Sequence, residues 1–302
     1  MTAATVAEVA PAPGGVRGFL RLVVIEHSVF ALPFAYIAAL TATHSIADDV
    51  AWRDLALITV AMVAGRTFAM AANRVIDREI DARNPRTEQR ELVTGALPLH
   101  VARAGIAVSL VVFLVAATLL SPLCLMLAPV ALLLLTLYPY AKRVTWLCHA
   151  VLGLAQAVAP VGAWIAITDE WSGAAVVLGL AVGSWIGGFD IIYACQDVAV
   201  DRREGLHSVP ARFGVAAALR ASAIAHVGTV ALLVWFGVLA DLVAWWQVGV
   251  ALAALALGYE HSLVKPHDLS KVGRAFFTVN GYVGIGLFAF AVLALAATGL
   301  RW

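Results

Sequence analysis

The chain has little charge for its length. Only 13% of its 302 residues are Asp, Glu, Lys or Arg, whereas 62% are hydrophobic, and a soluble domain carries roughly 25% charged residues. The mean hydropathy is +0.91. The formal net charge is only +1 and no basic arm is present, so nothing in the composition indicates a nucleic-acid partner. The composition predicts an integral membrane protein.

Cysteine is also scarce. The three cysteines, Cys124, Cys148 and Cys195, all lie in or beside apolar stretches. Their spacing fits neither a disulfide framework nor a metal site. We therefore expect them to behave as small hydrophobic residues that are buried in the protein.

The first 16 residues contain no basic residue and are rich in Pro and Gly near their end. This predicts a disordered tail over 1–16, followed by a single membrane domain over 17–302. The apolar run after the tail lacks a clear small-residue cleavage site, so we interpret it as a retained first span rather than a signal peptide.

Apolar stretches of about 20 residues, each long enough for a membrane-spanning helix, occur nine times. They lie at about 19–41, 54–72, 100–119, 122–139, 147–167, 172–194, 216–239, 242–259 and 277–299. The third and fourth are separated only at Ser121-Pro122, and the seventh and eighth only around Asp241. The sequence thus predicts an all-α membrane protein with about nine transmembrane helices.

The basic residues give the orientation. Of the 20 Lys and Arg residues, only Arg53 and Arg301 fall on one side of the predicted membrane, which instead carries six acids and several tryptophans. Those tryptophans are Trp52, Trp171, Trp245, Trp246 and Trp302. The positive-inside rule and the aromatic belt then predict a cytoplasmic N-terminus and an outer C-terminus.

Two acidic motifs begin the two long, charged cytoplasmic loops. In the first, Asn73, Asp77 and Asp81 are spaced by four residues, and in the second Asp197 and Asp201 repeat that step. A four-residue step places side chains on one face of a helix. Carboxylates near a bilayer are costly and usually functional. Two such faces can hold divalent cations, which in turn can hold a diphosphate.

Each motif has a polar residue deeper in the membrane. Arg66 precedes Asn73 by seven residues, and Asp190 precedes Asp197 by seven, which keeps each pair within a narrow stripe of its helix. Both residues lie in apolar sequence without a charged neighbour, and this indicates a function. The alternative is that Arg66 and Asp190 form a structural pair with each other.

A third motif ends the fourth predicted span. Lys142 lies one helical turn after Tyr138, and a lysine at this edge could meet a phosphate as a point charge. An ordinary basic anchor with an interfacial tyrosine is the alternative interpretation.

Together these motifs resemble the three signatures of the UbiA family of intramembrane prenyltransferases. The signatures are Asn73-x-x-x-Asp77-x-x-x-Asp81, Tyr138-x-x-x-Lys142 and Asp197-x-x-x-Asp201, with supporting phrases at 26–33, 83–87 and 208–214. The phrases resemble the branch of 4-hydroxybenzoate polyprenyltransferases or its menaquinone-pathway relative. The resemblance runs from about residue 17 to the last span. Many members have Asn-Asp at the start of the first signature, whereas this chain has Asn73-Arg74, which removes one possible metal-site acid.

The resemblance implies a ring of nine transmembrane helices around a central cavity that opens to the cytoplasmic side. It implies Mg²⁺ as cofactor, bridging an isoprenyl diphosphate to the residues Asn73, Asp77, Asp81, Asp197 and Asp201. It also implies that Lys142 neutralises the leaving diphosphate, assisted by Arg78 and Arg202, and that Tyr138 and Tyr193 stabilise an allylic carbocation.

For the acceptor, the resemblance implies an aromatic acid such as 4-hydroxybenzoate, with Arg66, Asn73 and Asp190 positioned around it. The catalytic set is then Asp77, Asp197, Lys142 and Asp190, and the prenyl tail runs between helices toward membrane lipid. A naphthoate acceptor and, further off, haem farnesylation stay open, as does the oligomeric state. A transporter is the alternative from another class, but the acids gather at one membrane face rather than at the midplane, which favours an enzyme.

Overall fold

A computed structural model describes residues 18–19, 22–23, 32–47, 49–242 and 244–302, excluding the side chains of 276 and 277. Within these ranges the regular structure is helical, apart from two isolated β-bridges at Asp49–Arg301 and Lys265–Asp268. The predicted tail over 1–16 and residues 26–31 of the first supporting phrase lie outside the described residues.

The helices are numbered here in chain order. They are α1 (Leu32–Ile46), α2 (Trp52–Ile76), α3 (Arg78–Asp81), α4 (Glu91–Thr94), α5 (Leu99–Leu120), α6 (Pro122–Val144), α7 (Cys148–Thr168), α8 (Gly173–Ala194), α9 (Val198–Arg203), α10 (Val209–Phe213), α11 (Val215–Leu239), α12 (Ala244–Leu263), α13 (Val272–Arg274) and α14 (Asn280–Ala297). A 3₁₀ turn at Cys195–Asp197 joins α8 to α9, and a π-helical turn at Ala275–Val279 precedes α14.

Among the described residues, seven helices are long and apolar enough to cross a membrane: α2, α5, α6, α7, α8 with its extension to Arg203, α11 and α14. From residue 32 the first predicted span lies in α1, and the eighth lies largely in α12, but neither helix is in that set. The all-α membrane fold is therefore confirmed, while the count of nine spans stays a prediction.

At both places where neighbouring predicted spans are barely separated, one helix ends and another begins. Ser121 ends α5 and caps α6: its Oγ accepts the Cys124 N–H at 3.1 Å, and Pro122 follows at the first helical position, where it costs no hydrogen bond. Between α11 and α12 the backbone turns at Asp241, whose φ of 50° lies in the left-handed region. Such a residue stops a helix.

Helices α7 and α8 touch through their backbones. A Cβ on Gly153 would lie 2.3 Å from the Gly183 carbonyl oxygen, and a Cβ on Gly187 would lie 3.0 Å from that of His149. Only glycine permits such an approach, which is the usual means of close helix association in membranes. The contact fixes the first turns of α7 against the last turns of α8.

The main core lies between α1, α7, α8, α11, α12 and α14 and includes the fully buried Phe34, Trp185 and Phe236. Large apolar side chains on the outer surface, such as Met126 and Ile224, are exposed, as expected for a surface in contact with lipid. Four of the five predicted belt tryptophans are also exposed. The prediction for Trp246 is wrong, because this residue is completely buried and donates Nε1–H to the Leu233 carbonyl oxygen at 2.9 Å.

Candidate active site

The first acidic motif lies where α2 breaks. Asp77 caps the helix, and the short α3 continues in nearly the same direction, because the Asp77 N–H donates to the Asn73 carbonyl and the Asp81 N–H donates to the Asp77 carbonyl. The carboxylates of Asp77 and Asp81 are both buried. The four-residue stripe predicted from the sequence is thus present in the backbone.

The second acidic motif has the same construction. Asp197 ends the 3₁₀ turn after α8, and Asp201 lies on the short α9. Both carboxylates are buried. Each motif therefore places one acid at the end of a long helix and the other on the short helix that follows.

The two loops that carry the motifs are joined at Asp197. Arg86 binds this carboxylate with both prongs of its guanidinium, Nε to Oδ1 at 3.0 Å and Nη2 to Oδ2 at 2.6 Å. Asn84 Nδ2 also donates to Oδ1, at 3.2 Å, and Arg86 Nη1 donates to the Tyr193 hydroxyl at 3.0 Å. Because Asn84 and Arg86 follow the first motif, both motifs lie at the same end of the helix bundle.

Each of the other three motif acids also faces a basic side chain. Asp77 Oδ1 accepts from Arg143 Nη2 at 2.9 Å, and Asp81 Oδ2 accepts from Arg90 Nη1 at 2.6 Å. Asp201 Oδ2 accepts from Ser208 Oγ at 2.8 Å, and its Oδ1 lies 3.8 Å from Lys142 Nζ. Burial of a carboxylate is tolerated only with such partners.

Lys142 lies between the motifs. Its ammonium group is within electrostatic range of Asp77, Asp197 and Asp201, and its carbonyl oxygen accepts the His207 N–H of the second loop at 2.6 Å. The third sequence motif is thereby brought to the other two.

The local electrostatics differ between the two loops. Burial raises the pKa of the Asp77 carboxyl, and the hydrogen bond from Arg143 opposes that shift without cancelling it. Burial lowers the pKa of Arg86, but the hydrogen bonds and the charge of Asp197 outweigh it and hold the pKa above its ordinary value. The environment therefore favours the charged forms of Arg86 and Asp197, whereas on balance it disfavours the charged form of Asp77.

Beside the acidic site lies an elongated cavity of about 370 Å³ between α2, α5, α6, α7 and α8. It follows α2 from Ile58 to Met70, twelve residues, or about 18 Å at 1.5 Å per residue. Its lining is almost wholly apolar, with Arg66, Tyr138 and Gln156 as the main polar residues. A chamber of this shape suits a hydrocarbon chain.

Arg66 has no counter-ion in the part of the chain that the structure describes. Its Nε is buried without a hydrogen-bond partner, and Tyr138 lines the same cavity. Asp190 is instead bonded to His149, with Oδ2 2.6 Å from Nδ1. The alternative of an Arg66–Asp190 pair is therefore not what the structure shows.

Two predicted substrate ligands point elsewhere. Arg78 Nε donates to the Leu92 carbonyl oxygen and Arg202 Nε to that of Ala211, both at 2.9 Å, and both residues are exposed. Asn73 is half-buried, and its backbone carbonyl accepts the Asp77 N–H at the end of α2. The structure thus gathers Asp77, Asp197, Lys142 and Tyr193 but not the two arginines.

The sequence patterns missed the basic and polar residues that complete the site. These are Asn84, Arg86, Arg90, Arg143, Ser208 and His149. Asn84, Arg86 and Ser208 fall in phrases noted for their resemblance, but neither phrase has a spacing that predicts chemistry. His149 is a lone histidine at the start of a span and gave no signal.

The acids provide oxygen donors only, which suits a hard cation such as Mg²⁺. In the ranges described, no three His, Cys, Asp or Glu side chains already converge on one point. The chemistry of the residues fits the ion, and Asp77, Asp81, Asp197 and Asp201 would hold it, two acids from each loop.

Comparison with known proteins agrees with this architecture. The model of the UbiA prenyltransferase family matches residues 31–282. The chain is 30% identical over 246 residues to the 4-hydroxybenzoate octaprenyltransferase of Thiobacillus denitrificans, covering 81% of this chain and 83% of that protein. It is 32% identical over 240 residues to the 4-hydroxybenzoate solanesyltransferase of a Synechocystis species, covering 78% and 80%.

Solved structures of UbiA homologues have the same fold as this chain. The apo structure of a UbiA homologue from Aeropyrum pernix K1 superposes with a TM-score of 0.81 at 35% identity, covering 89% of this chain and 98% of that one. A UbiA homologue from Archaeoglobus fulgidus, bound to DMAPP and Mg²⁺, shares the fold with a TM-score of 0.72 at 19% identity, covering 92% and 99%. By its sequence, its fold and its paired acidic motifs, this chain belongs to the UbiA family of membrane prenyltransferases.

Proposed function

We propose that the protein transfers a polyprenyl group from an isoprenyl diphosphate to a ring carbon of an aromatic acid similar to 4-hydroxybenzoate, with Mg²⁺ as cofactor. The observation that carries this proposal is the junction of the two acidic motifs, with Lys142 between them, beside a long apolar cavity. The two relatives named above are 4-hydroxybenzoate prenyltransferases.

The diphosphate end of the substrate belongs at the motif acids. When bound there, Mg²⁺ would neutralise the charge of the diphosphate and so favour its departure. Lys142 adds a positive charge within reach of three of the acids, where it meets the leaving oxygens as a point charge. In this arrangement Asp77 and Asp197, one from each loop, are the carboxylates that we expect transfer to depend on most.

The prenyl chain belongs in the apolar cavity. Its lining holds the tail by hydrophobic contact and keeps water away from the allylic cation that forms when the C–O bond breaks. Tyr138 lines the cavity near Arg66, and Tyr193 lies beside the Arg86–Asp197 pair. In this proposal the two rings stabilise the cation by its attraction to an aromatic face, and the Tyr193 ring centroid already lies 5.0 Å from the cationic Arg86 Cζ.

The acceptor ring belongs between Arg66 and Asp190. Arg66 offers a planar guanidinium that has no counter-ion among the described residues, which suits an aromatic carboxylate. Asp190 has one carboxylate oxygen bonded to His149 and is partly exposed, so it can accept a hydrogen bond from a ring hydroxyl. Arg66 and Tyr138 line the same cavity, and Tyr138 is within electrostatic range of Asp190, which supports a shared space for the acceptor.

The charge distribution supports a cytoplasmic N-terminus, an outer C-terminus and an acidic site at the cytoplasmic face. The exposed apolar surfaces of the helices then contact membrane lipid. A dihydroxynaphthoate, prenylated on the way to menaquinone, is the second acceptor to be compared.

The decisive experiment is a transfer assay on the purified protein in lipid nanodiscs. Geranylgeranyl diphosphate and Mg²⁺ are supplied with either 4-hydroxybenzoate or 1,4-dihydroxy-2-naphthoate, and the prenylated product is identified by mass spectrometry. We expect product with the hydroxybenzoate and its loss when Mg²⁺ is chelated. Product with the naphthoate alone would reassign the acceptor, and no consumption of the diphosphate with either acid would refute the proposal.

A further inference from the structure

His149 occupies an unusual position for a histidine. It is the second residue of α7, is only 4% exposed, and bonds to Asp190 through Nδ1 at 2.6 Å. Its other nitrogen, Nε2, lies 3.4 Å from the Val209 backbone nitrogen. A backbone N–H can only donate, so Nε2 accepts, and Nδ1 must carry the proton that is donated to Asp190.

The helices that carry His149 and Asp190 are in close backbone contact. Their helices meet through glycines: a Cβ on Gly187, three residues before Asp190, would lie 3.0 Å from the His149 carbonyl oxygen. Side-chain repacking cannot change a contact of this kind. The hydrogen bond therefore holds Asp190 in one orientation, and Oδ1 accepts no hydrogen bond from the residues that the structure describes.

The same imidazole is tied to the second acidic loop. Val209 follows Ser208, whose hydroxyl donates to Asp201 at 2.8 Å and accepts the Ala211 N–H at 3.3 Å. The contacts thus run without a gap from Asp201, through Ser208 and Val209, to His149 and Asp190.

We propose that His149 is a positioning residue that holds Asp190 toward the acceptor ring and sets its position relative to the loop that binds the diphosphate. This inference rests on the proposed function, because it concerns the same acceptor site. His149 itself touches neither substrate. Its Nδ1–H occupies Oδ2 of Asp190, so that Oδ1 is available to the ring hydroxyl.

Two conservative variants separate the two nitrogens. In His149→Asn the side-chain amide reaches the position of Nδ1 and can still donate to Asp190. In His149→Gln the amide reaches the position of Nε2, so the bond to Val209 is kept and the bond to Asp190 is lost. His267→Gln, on an exposed loop, is the matched control for the loss of a histidine.

The experiment measures kcat and KM for each substrate in these variants, together with their thermal stability. Loss of a hydrogen bond to a charged group predicts a fall of about tenfold to hundredfold in kcat/KM for the aromatic acid in His149→Gln. We expect the KM for the diphosphate to change little, His149→Asn to recover much of the loss, and His267→Gln to match the parent protein.

The role of Asp190 is tested in the same series. If His149 acts through Asp190, adding His149→Gln to Asp190→Asn costs little more than Asp190→Asn alone. Equal losses for both substrates, with a lower melting temperature and no recovery in His149→Asn, would show that His149 is only structural. Full activity in His149→Gln would also overturn the inference. If the parent protein itself forms no product, it is the proposed function that fails.

Discussion

Gly162 offers a direct test of where the prenyl tail lies. This glycine lines the apolar cavity on α7, fourteen residues or about 21 Å along the helix from Cys148. Apart from its chain neighbours and the backbone of its own helix, no atom of the described residues lies within 4 Å of a Cβ built on it. In Gly162→Leu the new side chain would therefore occupy the cavity without displacing the protein, and the helix would gain about 1 kcal/mol from the loss of glycine.

The expected penalty follows from the carbon atoms that the leucine displaces. Each buried methylene contributes about 0.8 kcal/mol, so excluding about four carbons of a tail removes about 3 kcal/mol. Since each 1.36 kcal/mol is a factor of ten, kcat/KM should fall roughly hundredfold. Only a tail long enough to reach Gly162 is affected, because this position lies far from the acids that bind the diphosphate.

The assay compares geranyl with geranylgeranyl diphosphate, with 4-hydroxybenzoate in excess. We expect Gly162→Leu to lose activity selectively on the longer substrate and to keep it on the shorter one. Gly258→Leu is the matched control, since Gly258 is a helix-interior glycine with no atom within 4 Å of its Cβ, but it is exposed on α12 and away from the cavity.

An unchanged preference for chain length in Gly162→Leu would refute the reasoning, because the tail would then pass between helices into lipid without using the cavity. An equal fall with both substrates would also contradict it, since that result would indicate a distorted site rather than a shortened chamber.

The other predictions concern single polar groups. Asp197→Asn should lower transfer by about a hundredfold or more, because a carboxylate that serves the cation is lost, whereas Glu88→Gln, in an exposed position, should match the parent in the same assay; equal losses would contradict the ranking. Arg66→Lys should raise the KM of the aromatic acid about tenfold, because a point charge replaces a planar fork, and a loss of diphosphate affinity would instead assign Arg66 to the phosphate site. Glu260→Gln should leave the melting temperature equal or higher, because this fully buried side chain keeps the acceptor that Asn280 uses and the neutral amide has no charge to desolvate; a clear fall would show that a charged Glu260 is needed, for example by His226 at 3.8 Å.

The long helices and the acidic motifs were predictable because both depend on regular spacing. Apolar windows located the helices, and the breaks at Ser121 and Asp241 follow from local backbone chemistry. A four-residue step placed the acids on common faces. None of these inferences requires knowing which helices are neighbours.

The partners of the acids could not be predicted in this way. Arg86 lies 111 residues from Asp197 in sequence, and spacing within one helix gives no information about such a pair. Arg78 and Arg202 each follow a motif acid directly, yet consecutive residues on a helix point about 100° apart. That geometry explains why both reach backbone carbonyls instead of the site. His149 meets Asp190 only because glycines bring α7 and α8 together.

The pairing of the four motif acids with Arg143, Arg90, Arg86 and Lys142 has a practical consequence. The protein's own side chains balance the charge of these acids, so we expect the fold to assemble without a metal ion. Purification in a chelating buffer should therefore leave the protein folded and ready for reactivation. If a cation were held by these acids, Arg86, Arg90 and Arg143 would be free to bind the phosphate oxygens of the substrate.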